Sequence, residues 1–136
     1  MASYTKIYSF TEALAEKVHN LGSDTLTIAL TNTAHTTSWT QLSDLTEVAY
    51  TYCSARALTT ATSAQTTGTY KLVVDDLTLT ASGGDVGAFR YIYIYNDTAT
   101  NDELIAYYDY GSALTLADGE SLELDFDGTN GVLTIT

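Results

Sequence analysis

The chain has 136 residues, the usual size of one domain, and its charge is strongly unbalanced. Its 17 Asp and Glu residues against 5 Lys and Arg give a formal net charge of −12, and charged residues make up only 16% of the chain. Because contact with phosphate groups needs clustered Lys and Arg, this balance argues against binding to nucleic acid or an anionic membrane surface, and it favours a protein partner.

The first predicted element is one short helix at about residues 10–20. Ser9 and Glu12 are spaced as a capping box, and Gly22 stands where a helix commonly ends. Apolar residues recur at helical spacing between them, at Leu14, Val18 and Leu21. His19 is interpreted as a cation in the last turn of this helix. The residues before it carry no apolar run typical of a signal peptide or membrane span, so folding in a cytoplasm is expected.

From residue 24 onward, β-branched and aromatic residues alternate with polar ones, a pattern typical of strands. Turn residues recur about every 8 to 12 positions, which predicts an antiparallel sandwich or barrel. The parity change at Asp75-Asp76 predicts a bulge, and Asp127–Gly131 predicts a hairpin loop. Residues 32–50 are predicted to form a long loop with a short apolar anchor at Leu42, Leu45 and Val48, and a loop of this length is usually functional or an interaction segment. The predicted strands cover residues 26–31, 54–66 (weakly), 70–80, 89–95, 104–110, the neighbourhood of 114–116, 122–126 and 132–136.

The predicted fold is therefore mainly β, an antiparallel β-sandwich with one short N-terminal helix packed on it. Residues 1–9 are expected to form an exposed N-terminal arm, and residues 10–136 a single β-sandwich domain. We see no internal repeat or linker that would divide the chain further.

Residue types that carry chemistry are sparse. His19 and His35 have no metal-ligand spacing, and Cys53 can form no internal disulfide and has no basic residue nearer than Arg56. The turn Asp125–Asn130 has the oxygen-rich composition of a calcium loop without the full pattern, so a surface turn is favoured and calcium stays an alternative. We expect no catalytic residue, cofactor or metal, and no enzymatic activity.

The informative feature is tyrosine, of which the chain has 11. Strand 89–95 carries tyrosines on one face and Ile92 and Ile94 on the other, so neither face is polar. The next strand has Tyr108 and Tyr110 on one face and Tyr107 on the opposite one. The second apolar face needs a cover, either the helix or another subunit, and a row of tyrosines is also a platform for sugars. The candidate interface residues are Tyr4, Tyr8, Tyr91, Tyr93, Tyr95, Tyr108 and Tyr110.

Several runs of residues carry a resemblance that covers most of the chain and departs in residues 34–60. They are KIYSF at 6–10, EALAE at 12–16, HNLGSDTL at 19–26, ALTNT at 29–33, YNDTA at 95–99, LIAYYDYG at 104–111 and FDGTNGVL at 126–133. In these runs the chain resembles a family of small virion structural proteins of tailed bacteriophages. The resemblance implies a head decoration (cement) protein with a jelly-roll-like β-sandwich fold.

The same resemblance implies a homo-trimer that binds the major capsid protein on the capsid surface of the virion, after synthesis in the cytoplasm of the host bacterium. In that role residues 1–8 are expected to anchor the protein to the shell. The alternative is a tail-associated receptor- or carbohydrate-binding module, in which the tyrosine row and the 32–50 loop contact glycans.

Overall fold

Alternation of apolar and polar residues places nearly half of the chain in antiparallel strands. A computed structural model describes residues 2–136. Within that range no helix is long and apolar enough to cross a membrane. The elements in chain order are β1 (Ser3–Lys6), α1 (Phe10–Ala15), β2 (Leu26–Thr31), a 3₁₀ turn (Leu42–Asp44), β3 (Thr60–Thr66), β4 (Thr69–Val74), β5 (Leu77–Thr80), β6 (Val86–Asn96), β7 (Leu104–Leu116), β8 (Ser121–Leu124) and β9 (Leu133–Ile135).

The largest sheet, called the main sheet below, has the strand order β1-β7-β6-β2. Its centre is the hairpin of β6 and β7, whose aromatic and β-branched residues are the most strand-prone in the chain. β7 was predicted as two strands separated at Gly111. It is one strand, because Gly111 adopts φ +97° and lets the strand bend and continue.

Two smaller sheets lie against one face of the main sheet, with orders β3-β4-β9 and β5-β8. All three sheets contribute to one buried core, in which Phe126 meets Tyr108 of the main sheet at a ring distance of 5.9 Å. The mainly β, antiparallel, sandwich-like architecture with one short helix is thus confirmed. Its jelly-roll connectivity stays a prediction.

Two predicted connections are wrong for the same reason. The bulge at Asp75-Asp76 is in fact the point where the chain leaves β4 and enters β5, which pairs in a different sheet. Asp127–Gly131 likewise joins β8, paired to β5, with β9, paired to β4, and is not a hairpin loop. Alternation reveals strands, whereas their partners depend on contacts distant in sequence.

The helix is shorter than predicted and ends at Ala15 rather than near residue 20. Lys17 adopts φ +68° and turns the chain back. The capping box is absent, since the side chain of Ser9 makes no capping hydrogen bond. His19 consequently lies beyond the helix and is buried, with its ring 5.3 Å from that of Phe10. After the reversal, Leu21 is buried in the core together with His19.

The predicted N-terminal arm, residues 1–9, contains an edge strand of the main sheet, and Met1 lies outside the described residues. β1 pairs with β7 from Ser3 opposite Asp109 to Lys6 opposite Ala106. The next residue, Ile7, has no exposed surface, and its amide donates to the carbonyl of Ile105 over 3.0 Å. The side chains of β1 are exposed as expected, but its backbone belongs to the sheet.

Candidate functional site

The predicted tyrosine interface is divided between the two faces of the main sheet. Directly opposed residues of an antiparallel pair share a face, and the register opposes Tyr93 to Tyr107 and Tyr108 to Ile92. Tyr4 joins Tyr108 by the same rule. The outer face therefore carries Tyr91, Tyr93, Tyr95 and Tyr107, and the inner face, toward the smaller sheets, carries Tyr4, Tyr108 and Tyr110.

The outer tyrosines are covered by residues 32–59, here called the covering loop. The hydroxyl of Tyr93 hydrogen-bonds Nδ1 of His35 over 2.8 Å, and the His35 ring stacks on Tyr107 with centroids 4.5 Å apart. Trp39 meets the His35 ring edge-on at 5.6 Å. Burial raises the pKa of Tyr93 and lowers the pKa of His35, so both groups are held neutral near pH 7.

The covering loop is fixed by hydrogen bonds to the free edge of β2. Backbone amides and carbonyls pair across this edge, as in the bond from the Val48 amide to the Leu30 carbonyl at 3.0 Å. Tyr50 accepts a hydrogen bond from the Leu30 amide at 2.9 Å and donates one to Glu47 at 2.7 Å. The guanidinium of Arg56 lies 3.7 Å above the Tyr50 ring. The loop thus satisfies the edge backbone that an open sheet would expose.

This cover corrects the predicted interface. Tyr93 has no exposed surface and Tyr95 only 4%, so neither is available to a partner in this structure. The cover is neither the helix nor another subunit, the two options considered from the sequence. The sequence does contain an indication that this loop packs on the sheet. His35, Trp39 and Leu45 are large side chains that a solvated loop does not require.

The inner tyrosines remain accessible at one end of the sandwich. Tyr108 and Tyr110 border a cleft of about 140 Å³ between the main sheet and β8, which Tyr4 does not line. This tyrosine cleft is lined by Ala2, Ile92, Tyr108, Tyr110, Leu122, Glu123, Leu124, Asp125 and Phe126.

Aromatic contacts set the walls of the tyrosine cleft. Tyr108 packs edge-on against Tyr4 at 5.3 Å and tilts against Phe126, and burial raises the pKa of Tyr108 to about 12. Tyr110 is 42% exposed and forms the open side. Of the predicted interface residues, Tyr108 and Tyr110 are therefore brought together. Tyr8 is 69% exposed but lines no part of this cleft.

A buried polar network that the sequence did not reveal lies at the other end of the main sheet. Nδ2 of Asn96 donates to Nδ1 of His19 over 2.9 Å and to the carboxylate of Asp24 over 2.6 Å. Its Oδ1 accepts from the amides of Thr98 and Ala99, so the whole amide is satisfied. Burial lowers the pKa of His19, against the opposing influence of the Glu103 and Asp24 carboxylates.

Because Nδ1 of His19 accepts a hydrogen bond, the neutral ring carries its proton on Nε2. Nε2 of His19 and Oε2 of Glu103 have no hydrogen-bond partner among residues 2–136. The interpretation of His19 as a helix-end cation is thus wrong. Next to it lies an open groove of about 590 Å³, bordered by polar side chains that include Asn20, Ser63 and Tyr70.

The Asp127 loop and the Cys53 thiol are the groups that the sequence offers for metal or nucleophilic chemistry. Both oxygens of Asp127 accept hydrogen bonds from its own loop, from the Thr129 and Asn130 amides and from the Asn130 side chain, which holds its pKa low. In the part of the chain described by the structure, no three His, Cys, Asp or Glu residues gather as metal ligands. Burial raises the pKa of the Cys53 thiol, which makes it a poorer nucleophile.

Comparison with known proteins gave no relative. The chain matches no protein-family model, no curated protein and no solved structure. The resemblance to tailed-bacteriophage virion proteins therefore stays a prediction from the quoted runs of residues.

Proposed function

We propose that the protein is a non-enzymatic bacteriophage virion protein that decorates the assembled head by binding the major capsid protein, as a homo-trimer on the capsid surface. The observation that carries the proposal is the tyrosine cleft. It is an aromatic surface that stays accessible, whereas the core beside it is buried within the single chain. Tyrosine contributes large contact area and a hydroxyl, which suits recognition of a protein surface.

Charge supports the same role. A net charge of −12 keeps free copies apart in solution and accelerates approach to a basic or mixed surface. In the covering loop and the His19 network, the side chains of His35, Tyr50 and His19 make internal hydrogen bonds. We accordingly assign them to the stability of the domain and not to a reaction.

The experiment uses heads of the phage whose genome encodes the chain. Purified protein is mixed with purified heads, and bound protein is measured by co-sedimentation, with cryo-electron microscopy of the same heads to locate it. We expect saturable binding and density on the outer surface at sites where capsid subunits meet. Heads that bind no protein, together with virions that lack the chain, contradict the proposal.

A tail-associated receptor- or carbohydrate-binding module is the second candidate. The groove beside His19 favours it, because its volume of about 590 Å³ is in the range of small-ligand sites and Tyr70 lies among polar neighbours there. A glycan array tests this function. Binding that is lost in Tyr70→Ala supports the module, whereas an array without hits, alongside binding to heads, decides for the capsid role.

A further inference from the structure

The tyrosine cleft has the size of one large side chain. Its volume is about 140 Å³, and a protein cavity of roughly 150 Å³ holds a group the size of benzene. Sites for larger ligands usually span about 300 to 1,000 Å³. An occupant therefore enters as a single side chain that projects from a partner and not as a free multi-ring molecule.

The border of the cleft is acidic and carries no compensating cation. Glu123 and Asp125 belong to its lining, and both are exposed. None of the lining residues is basic. Arg90, for comparison, is paired with Asp109 at 2.8 Å, and Arg56 lies over Tyr50, so two of the five basic residues are engaged elsewhere. A cation that enters the cleft thus meets aromatic faces and negative charge together.

The strand that carries these acidic residues also has an open edge. β8 pairs with β5 in a two-stranded sheet, and no second strand pairs with it among residues 2–136. An extended segment can therefore pair with the backbone of β8 while one of its side chains points into the cleft. The acidic side chains on β8 disfavour a second copy of this chain, whose net charge is also negative.

We propose that the tyrosine cleft binds a long cationic side chain, arginine or lysine, presented by an extended segment of a partner protein. The aliphatic stem packs between Tyr108 and Leu122, and the charged end lies at the rim near Glu123. This proposal rests on the proposed function for the identity of the partner, which is then the shell protein. The chemistry of the cleft does not depend on it.

The test is a titration of the ¹⁵N-labelled protein with the peptide acetyl-Val-Thr-Arg-Thr-Val-amide, followed by amide chemical shifts. The matched peptide has Gln in place of Arg. We expect saturable shifts at Tyr110 and at residues 121–126 with the Arg peptide and none of comparable size with the Gln peptide. Shifts that are equal for the two peptides, or absent for both, overturn the proposal.

Charge variants distinguish the local effect of the acidic residues at the cleft on peptide binding from the effect of the net charge of the protein. Exposed ion pairs contribute about 0.2 to 1 kcal/mol each, so Glu123→Gln with Asp125→Asn should raise the dissociation constant of the Arg peptide about two- to thirtyfold. Glu12→Gln with Glu16→Gln removes the same charge from exposed positions outside the cleft and should change it little. Equal losses in the two double variants contradict a specific site.

Co-sedimentation with heads then distinguishes the two proposals. If Glu123→Gln with Asp125→Asn binds heads as well as the wild type does, the cleft is not the docking site. The decoration role is unaffected by that result. Binding of the Arg peptide by a protein that binds no heads supports the cleft and refutes the decoration role. Tyr110→Ala should weaken both interactions, with exposed Tyr52→Ala, which lies outside the cleft and the predicted anchor, as its control.

Discussion

The contact between the covering loop and the outer tyrosines can be tested by removing a single oxygen atom. Tyr93→Phe keeps the buried ring and deletes the hydroxyl that bonds His35 at 2.8 Å. Tyr91→Phe is the matched control, because Tyr91 lies on the same face and its hydroxyl makes no hydrogen bond to another residue of the described chain.

The expected cost of Tyr93→Phe follows from the environment of the bond. A typical hydrogen bond contributes about 0.5 to 1.5 kcal/mol net, and a buried partner left unsatisfied adds to the loss. His35 is only half-buried, so water can reach its ring in the variant, and we expect a loss of about 1 kcal/mol. For a domain of this size that corresponds to roughly 3 to 5 °C in Tm.

Urea unfolding at pH 7 measures these free energies for the wild type, Tyr93→Phe, His35→Ala and the double variant. If the two residues interact, the double variant should lose less stability than the sum of the single losses, by about 0.5 to 1.5 kcal/mol. Additive losses, or a Tyr91→Phe variant as unstable as Tyr93→Phe, would refute the assignment of the covering loop to this face.

The other predictions concern the N-terminal strand, the loop before β9 and the buried histidine. Ile7→Ala should lower the free energy of unfolding by about 2 to 5 kcal/mol, whereas exposed Tyr8→Ala should change it by less than about 0.5 kcal/mol. Equal effects of the two substitutions would show that the N-terminal residues form a free arm and do not pack in the domain. Gly131→Ala should destabilise the protein by more than about 1 kcal/mol, because φ is +83° and the new methyl group would lie 2.5 Å from a β4 carbonyl oxygen. Gly128→Ala is its control, because the added atom would lie in open space. Equal thermal stability of the two variants would contradict the close approach of Gly131 to the backbone of β4. Burial lowers the pKa of His19, so its contribution to stability should be present above about pH 6.5 and be lost as the pH falls below that through the lowered pKa. His19→Asn should flatten this dependence in urea unfolding, and an unchanged slope would show that the ring is solvated.

The sequence by itself determined the local features of this protein. Period-two alternation located the strands, and the recurring turn residues coincide with connections between them, such as the turn at Thr67-Gly68 between β3 and β4. These features depend on neighbouring residues, whose conformational preferences are readable in one dimension. The same alternation established that the strand at Tyr91 to Tyr95 is apolar on both faces.

Only the tertiary structure decided what covers each face. Register placed Tyr107 with the outer tyrosines and Tyr108 with the inner ones, a distinction that depends on pairing between strands. The covering loop and the Asn96 network join residues far apart in the chain, and no local pattern encodes such contacts. The tyrosine cleft forms where β8 lies beside the main sheet, a neighbourhood that the sequence of β8 alone does not determine.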